Sequence, residues 1–254
     1  MLTYLRDTWT IFQRSMILSL RNPAWVIIGL MQPILYLALF GPLLLKLTSI
    51  PGFPAGDAWR VLVPGLLVQL GIFGGAFVGF AIISEWREGV IDRMMVTAAA
   101  RSTLILGRVL RDVVVLVVQA LILILAAMLF GLRVPFQAVV LAVALVGMLG
   151  ASFSALSYAM GLILKSEDAF APLINTLALP IMLLSGILLP MTLAPIWLQR
   201  VSDISPFKHM VDGLRAIFRG ELWSFSAALG FGLSLALLLI SLWWGTQVFR
   251  NQSK

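Results

Sequence analysis

Six long apolar runs divide this chain, and its charged residues sit almost entirely between them. The runs cover approximately 25–45, 61–83, 113–130, 138–164, 169–189 and 227–249. A hydrocarbon core about 30 Å thick takes roughly 20 helical residues at 1.5 Å each. In lipid, a spanning segment must satisfy its backbone groups internally, which selects helices for runs of this kind. A soluble domain of 254 residues would not pair 61% hydrophobic content with only 11% charged residues. The expected fold is therefore all-α: a polytopic membrane protein with six transmembrane helices. An N-terminal interfacial helix and a re-entrant external helical hairpin complete that expectation.

Charge sets the expected orientation. An inside N-terminus places Arg6, Arg14, Arg21, Arg87, Arg93, Arg101, Arg108, Arg111, Lys165, Arg250 and Lys254 on the cytoplasmic face, 11 of the 18 basic residues. The bias follows the excess of Lys and Arg in cytoplasmic loops, and it accounts for the net charge of +7 without nucleic acid. Both termini are then cytoplasmic. With no cysteine, disulfides and thiolate metal sites are excluded.

Residues 1–22 read as an amphipathic interface helix rather than a cleaved signal. Leu2, Leu5, Trp9, Phe12, Met16 and Leu20 form one apolar stripe, and Asn22-Pro23 closes the segment. Residues 23–254 then form the six-helix transmembrane unit. Polar side chains in its runs are few: Gln32, Gln69, Ser152, Ser154, Ser157, Tyr158, Asn175 and Thr176 are the candidate contacts along a substrate path. Two small-residue stripes, Gly71/Gly75/Gly79 and Gly147/Ala151/Ala155/Ala159, suit close helix packing. No Asp, Glu, Lys or Arg falls inside an apolar run, which argues against a proton relay.

The region 84–112 has the highest charge density. Ser84 is a candidate cap for a short helix with acidic residues in its first turn, weakened by Gly89. Trp86, Val90 and Arg93 or Met94 share a face, so a tryptophan-led patch flanked by charge is expected, as at docking surfaces. The connection 190–226 is long and carries two apolar short segments. Pro190, Pro195 and Pro206 stiffen it as an external gate, with Asp212, Arg215 and Arg219 expected at the rim. His209 is the single histidine, so no His-based metal cluster exists. No lysine follows a glycine, so the chain has no phosphate-cradling loop and no ATPase of its own. A transport subunit, an energy-independent scaffold or assembly subunit, and a secondary transporter all remain open on these residues.

Two stretches carry a resemblance. The first is Glu85-Trp86-Arg87-Glu88-Gly89, followed by Thr97, Arg101 and Gly107-Arg108, with Ala98 where the pattern usually has proline. The second is Ser205-Pro206, His209, Asp212-Gly213-Leu214-Arg215 and Gly220. Together they resemble the membrane subunit of type-2 ATP-binding-cassette exporters, particularly the daunorubicin-resistance-like permeases. The resemblance implies export of a drug, lipid, glycolipid or polysaccharide, driven by separate P-loop ATPase subunits that hold the ATP and Mg2+. It also implies a second permease copy or close paralogue, with membrane lipids around both. Glu85, Trp86, Glu88, Gly89, Asp92, Arg93 and Arg101 would then form the ATPase-coupling region. No catalytic residue or metal ligand is implied on this chain.

Overall fold

The computed structural model describes residues 2–21, 24–47, 57–95 and 101–251. Among these, the chain forms eleven α-helices: α1 Leu2–Arg21, α2 Ala24–Leu47, α3 Ala58–Ala76, α4 Gly79–Arg87, α5 Val90–Met95, α6 Arg101–Leu129, α7 Phe136–Leu164, α8 Glu167–Ser185, α9 Ile196–Asp203, α10 Pro206–Phe218 and α11 Phe225–Asn251. Six spans are long and apolar enough to cross a membrane: α2, α3 with α4, α6, α7, α8 and α11. The expected all-α, six-span architecture is therefore present. The Asn22-Pro23 break and the Thr97-Ala98 turn lie outside the described residues.

The bundle is built around α3 and α7, the most buried spans, while α8 is the least buried. Helices α6 and α11 pack along α7, and α10 packs against α11 and α3. Large apolar side chains point outward along the spans: Ile28, Met31, Leu35 and Leu39 on α2, Leu121 and Leu125 on α6, Leu179 and Leu183 on α8, and Leu239 and Ile240 on α11. In water such a surface would be a liability; in a bilayer it is the ordinary lipid-facing side.

Two spans depart from the apolar runs. The third run looks short because its helix begins earlier: α6 has 29 residues and carries Arg108, Arg111 and Asp112 in its first three turns. Charge is therefore present inside this span, contrary to the reading from the runs. The second run is not one helix. It breaks at Phe77 and Val78 between α3 and α4. Ser157 of α7 occupies the break: its hydroxyl donates to Ala76 O (2.5 Å) and accepts from Gly79 N–H (2.8 Å). Backbone groups released inside a membrane need such partners, so the side chain that looked like a substrate contact is a structural clamp.

The small-residue stripes serve packing within the chain. A Cβ at Gly75 would stand 2.8 Å from Gly150 O and from Phe153 Cβ, so α3 and α7 approach to backbone contact. The second stripe faces other helices: Gly147 lies by Val113 and Val117 of α6, and Ala155 by Gly245 of α11.

Helix α1 has three faces rather than two. Tyr4, Thr8 and Ile11 meet α6: Tyr4 Oη donates to Ser102 Oγ (3.1 Å), and Ile11 is buried. A Cβ at Gly107 would stand 2.8 Å from Ile11 Cβ and Thr8 O, so this glycine permits the contact. Leu5, Trp9 and Leu20, from the apolar stripe, stay exposed. Arg6, Arg14 and Arg21 lie on the remaining exposed, polar side.

Candidate functional site

The charged region is a bent end of the second span. Ser84 does not cap a helix; it lies inside α4, because the apolar stretch before it already turns helically. Its hydroxyl donates to Glu88 Oε1 (3.2 Å). The helix stops at Glu88, and Gly89 takes φ +68, a left-handed conformation that favours glycine. The short α5 follows, and Arg93 Nη2 donates back to Glu88 O (3.2 Å). Arg87, Glu88 and Arg93 are exposed on this end. Asp92 lies in α5 and Arg101 opens α6; their side chains are outside the described part.

Trp86 sits differently from the expected exposed patch. It is half-buried, with Lys165 Nζ 4.9 Å from its ring centroid, and it packs on the cluster of Ile82, Ile91, Leu104 and Tyr158. The turn after α7 thus holds the tryptophan in place. Arg87 pairs with Glu167 at the start of α8 (3.5 Å). Glu85 is paired internally with Arg108 of α6, whose side chain is 5% exposed. This contact joins the two ends of the first motif stretch: the acid that opens it stands against the arginine that closes it. Sequence spacing gave no sign of that pairing across 23 residues.

Next to it lies a site that sequence reasoning missed. Asp112 is 2% exposed; its Oδ2 accepts from Tyr158 Oη (2.7 Å), and its Oδ1 lies 3.0 Å from Arg111 Nη1. The available signal was that 101–112 runs without a proline into the third apolar run, so Asp112 belongs to the span.

The polar residues expected to line a path are not brought together. Ser157 clamps the α3–α4 break, and Tyr158 holds Asp112. Ser152 Oγ donates to Met148 O of its own helix (2.7 Å), and Ser154 is buried beside α3. Gln32, Asn175 and Thr176 are exposed on α2 and α8. Gln69, on α3, is 2% exposed, and among the described residues neither amide atom has a hydrogen-bond partner. Ser154 Oγ is likewise buried without a hydrogen-bond partner among the described residues, so these two members are buried without the bond that usually accompanies burial.

At the opposite end of the bundle, Arg215 is not at a rim. It is 4% exposed because α10 is buried along most of its length. Its Nε donates to Val61 O of α3 (3.0 Å) and its Nη2 to Gly186 O after α8 (2.7 Å); Asp212 Oδ1 lies 3.6 Å from Nη1. Burial pulls Arg215 down to about 10, still well above neutral pH, so the side chain stays a cation. The surrounding motif has a packing reason. Pro206 opens α10 at its first turn, where a missing N–H costs nothing. A Cβ at Gly213 would stand 2.6 Å from Ser226 O, so α10 and α11 cross closely there. Pro190 is buried, whereas Pro195 and Pro206 are exposed. Helix α9 keeps Ile196 and Trp197 on the surface.

Among the described residues, no group of His, Asp and Glu is arranged to hold a metal. The sequence model of the ABC-2 type transporter family matches residues 6–218. The chain belongs to this family. It is thus the transmembrane, non-catalytic subunit of an ABC transporter, in a family whose ATPase is a separate chain. It is 22% identical over 257 residues to the daunorubicin resistance ABC transporter permease protein DrrB1 of Streptomyces coeruleorubidus, covering 99% of this chain and 88% of that one. It is 24% identical over 247 residues to ycf38 of Cyanophora paradoxa, whose name proposes a transport permease, covering 93% of this chain and 85% of that one. It is 26% identical over 166 residues to YbhR of Escherichia coli K12, whose name proposes a multidrug ABC transporter permease, covering 63% of this chain and 44% of that one.

Proposed function

We propose that this ABC-2 permease exports an amphipathic or lipophilic compound, with a P-loop ATPase docked on the α4–α5 end. The observation that carries the docking is the bend at Glu88-Gly89. It presents Arg87, Glu88 and Arg93 on the surface while Glu85 grips α6 through Arg108. An exposed charged tip with a buried root is what a coupling element needs: one side reads a partner, the other transmits its movement. A lipophilic cargo is supported by spans whose polar groups are mostly bonded within the protein, and by the drug-resistance name of one relative. A drug, lipid, glycolipid or polysaccharide with a lipid portion fits this description. The docked end is cytoplasmic in this reading, α1 lies at the same interface, and the 190–226 region forms the external closure. A second copy of this chain or a close relative completes the transporter.

The test is co-expression with the ATPase subunit, capture of the complex, and reconstitution. Lipophilic substrates are expected to stimulate ATP hydrolysis; stimulation by small hydrophilic ions alone would refute the cargo class. The absence of cysteine makes orientation directly measurable. Single cysteines at the exposed positions Asp168 and Glu221 are expected to label from opposite sides of intact cells, and labelling from one side would overturn the topology.

A further inference from the structure

We infer that the Tyr158–Asp112 bond is a register latch that makes α6 and α7 move as one body, carrying displacement of the 85–95 end along the bundle. The inference rests on the reading of this chain as an ATPase-driven permease.

The argument starts from the order of the chain. Helix α6 follows the docking end, and Glu85 of α4 pairs with Arg108 near its start. One helical turn further along the same face stands Asp112, buried inside a span. Its partner across the interface, Tyr158, is the only titratable side chain in residues 136–164. The neighbouring contacts along the α6–α7 interface are apolar or small: Val113 and Val117 lie by Gly147, and Leu116 by Gly150. Surfaces of this kind can slide by a fraction of a turn, because one apolar neighbour replaces another. A buried carboxylate resists this: sliding keeps Arg111 of its own helix beside Oδ1 but takes the Tyr158 hydroxyl from Oδ2, and an unfilled acceptor in a low-dielectric interior is costly. Discrete polar contacts within apolar interfaces therefore select particular registers rather than a continuum. At the other end of this helix pair the turn after α6 is also tied, with Arg60 Nη2 of α3 donating to Arg133 O (3.1 Å).

Asp112 is a positioning residue here, and its test must separate a latch from ordinary stability and from a proton carrier. A Cβ at Gly147 would stand 3.6 Å from Val113 Cγ1, so Val113→Cys/Gly147→Cys reports and fixes the observed register in a chain otherwise free of cysteine. In the purified permease alone, oxidation of this pair is expected to be at least threefold slower when Tyr158→Phe is added. Equal rates would overturn the latch. In the reconstituted complex, Tyr158→Phe is expected to lower transport per ATP hydrolysed at least tenfold, with ATPase capture and basal hydrolysis within twofold of the parent. Asp112→Asn retains an oxygen acceptor for Tyr158 and should keep at least half of the coupling. The formed disulfide should be tolerated in the parent and should restore at least half of the coupling in Tyr158→Phe. Loss of transport in the oxidised parent, recovered on reduction, would show that α6 and α7 must slide and would overturn the inference. Transport abolished by Asp112→Asn but kept by Tyr158→Phe would make the carboxylate a proton carrier instead. Failure of the parent chain to capture an ATPase would sink the functional reading and the coupling role with it, whereas the crosslinking rates judge the latch itself.

Discussion

Arg215→Ala is expected to be the most damaging single change, loosening α10 from α3 and from the turn after α8. The guanidinium makes two bonds to backbone oxygens from a 4% exposed position, at 3.0 Å to Val61 and 2.7 Å to Gly186. Hydrogen bonds to a charged group contribute roughly 1.5–3 kcal/mol each. In membranes the gain is smaller because the unfolded chain also finds partners. The truncation adds a cavity, and we expect a net loss of about 2–3 kcal/mol, from the bond and cavity contributions together. Gly186 sits at φ +67, where the chain leaves α8, so its carbonyl is aimed by the turn and cannot easily turn to another donor. Arg215→Lys keeps the charge but not the planar fork that reaches both oxygens, and should recover less than half of the loss. Denaturant unfolding in detergent measures both variants. A loss below about 0.5 kcal/mol, the range of an ordinary surface substitution, would show that the clamp is not what holds α10.

The second large effect is expected at the docking end. Glu88→Lys should leave the permease in the membrane at its normal level and reduce ATPase capture by about tenfold or more, the equivalent of about 1.4 kcal/mol. Glu88 is exposed, and among the described residues its carboxylate accepts only from Ser84 Oγ, so the described fold does not depend on it. A reversed charge at a surface that meets a basic partner raises the cost of every encounter. Trp86→Ala is a poorer probe than the sequence suggests, because the ring also packs under Lys165 and on the cluster around Tyr158. Truncating it would mix lost docking with lost packing. Unchanged capture by both Glu88→Lys and Arg93→Glu would remove the α4–α5 end from the coupling surface.

These two sites differ in how far they could be read in advance. The apolar runs, the proline and glycine punctuation and the uneven charge were enough for six spans, for an N-terminal helix and for a charged short helix weakened at Gly89. Those features depend on local periodicity and on the bilayer thickness, both of which are written along the chain. The apolar side of α10 was legible for the same reason: Met210, Val211, Leu214, Ile217 and Phe218 recur at helical spacing and are all buried.

Which polar side chain meets which was not legible. Ser157, Tyr158 and Arg215 are ordinary polar residues in the sequence, and nothing in their neighbours distinguishes a substrate contact from a structural bond. Tertiary packing decided it. The hydroxyl of Ser157 bridges the break at Phe77 and Val78, a continuous α6 carries Asp112 into the bundle, and the packing of α10 on α3 and the turn after α8 buries Arg215. Each outcome follows from one rule: in a medium without water, a polar group placed inside must find a partner there. The sequence by itself determined how many times the chain crosses and where its charge collects. Only the three-dimensional arrangement determined the partners, because residues 23, 46, 81 and 154 positions apart meet through helix packing rather than through spacing.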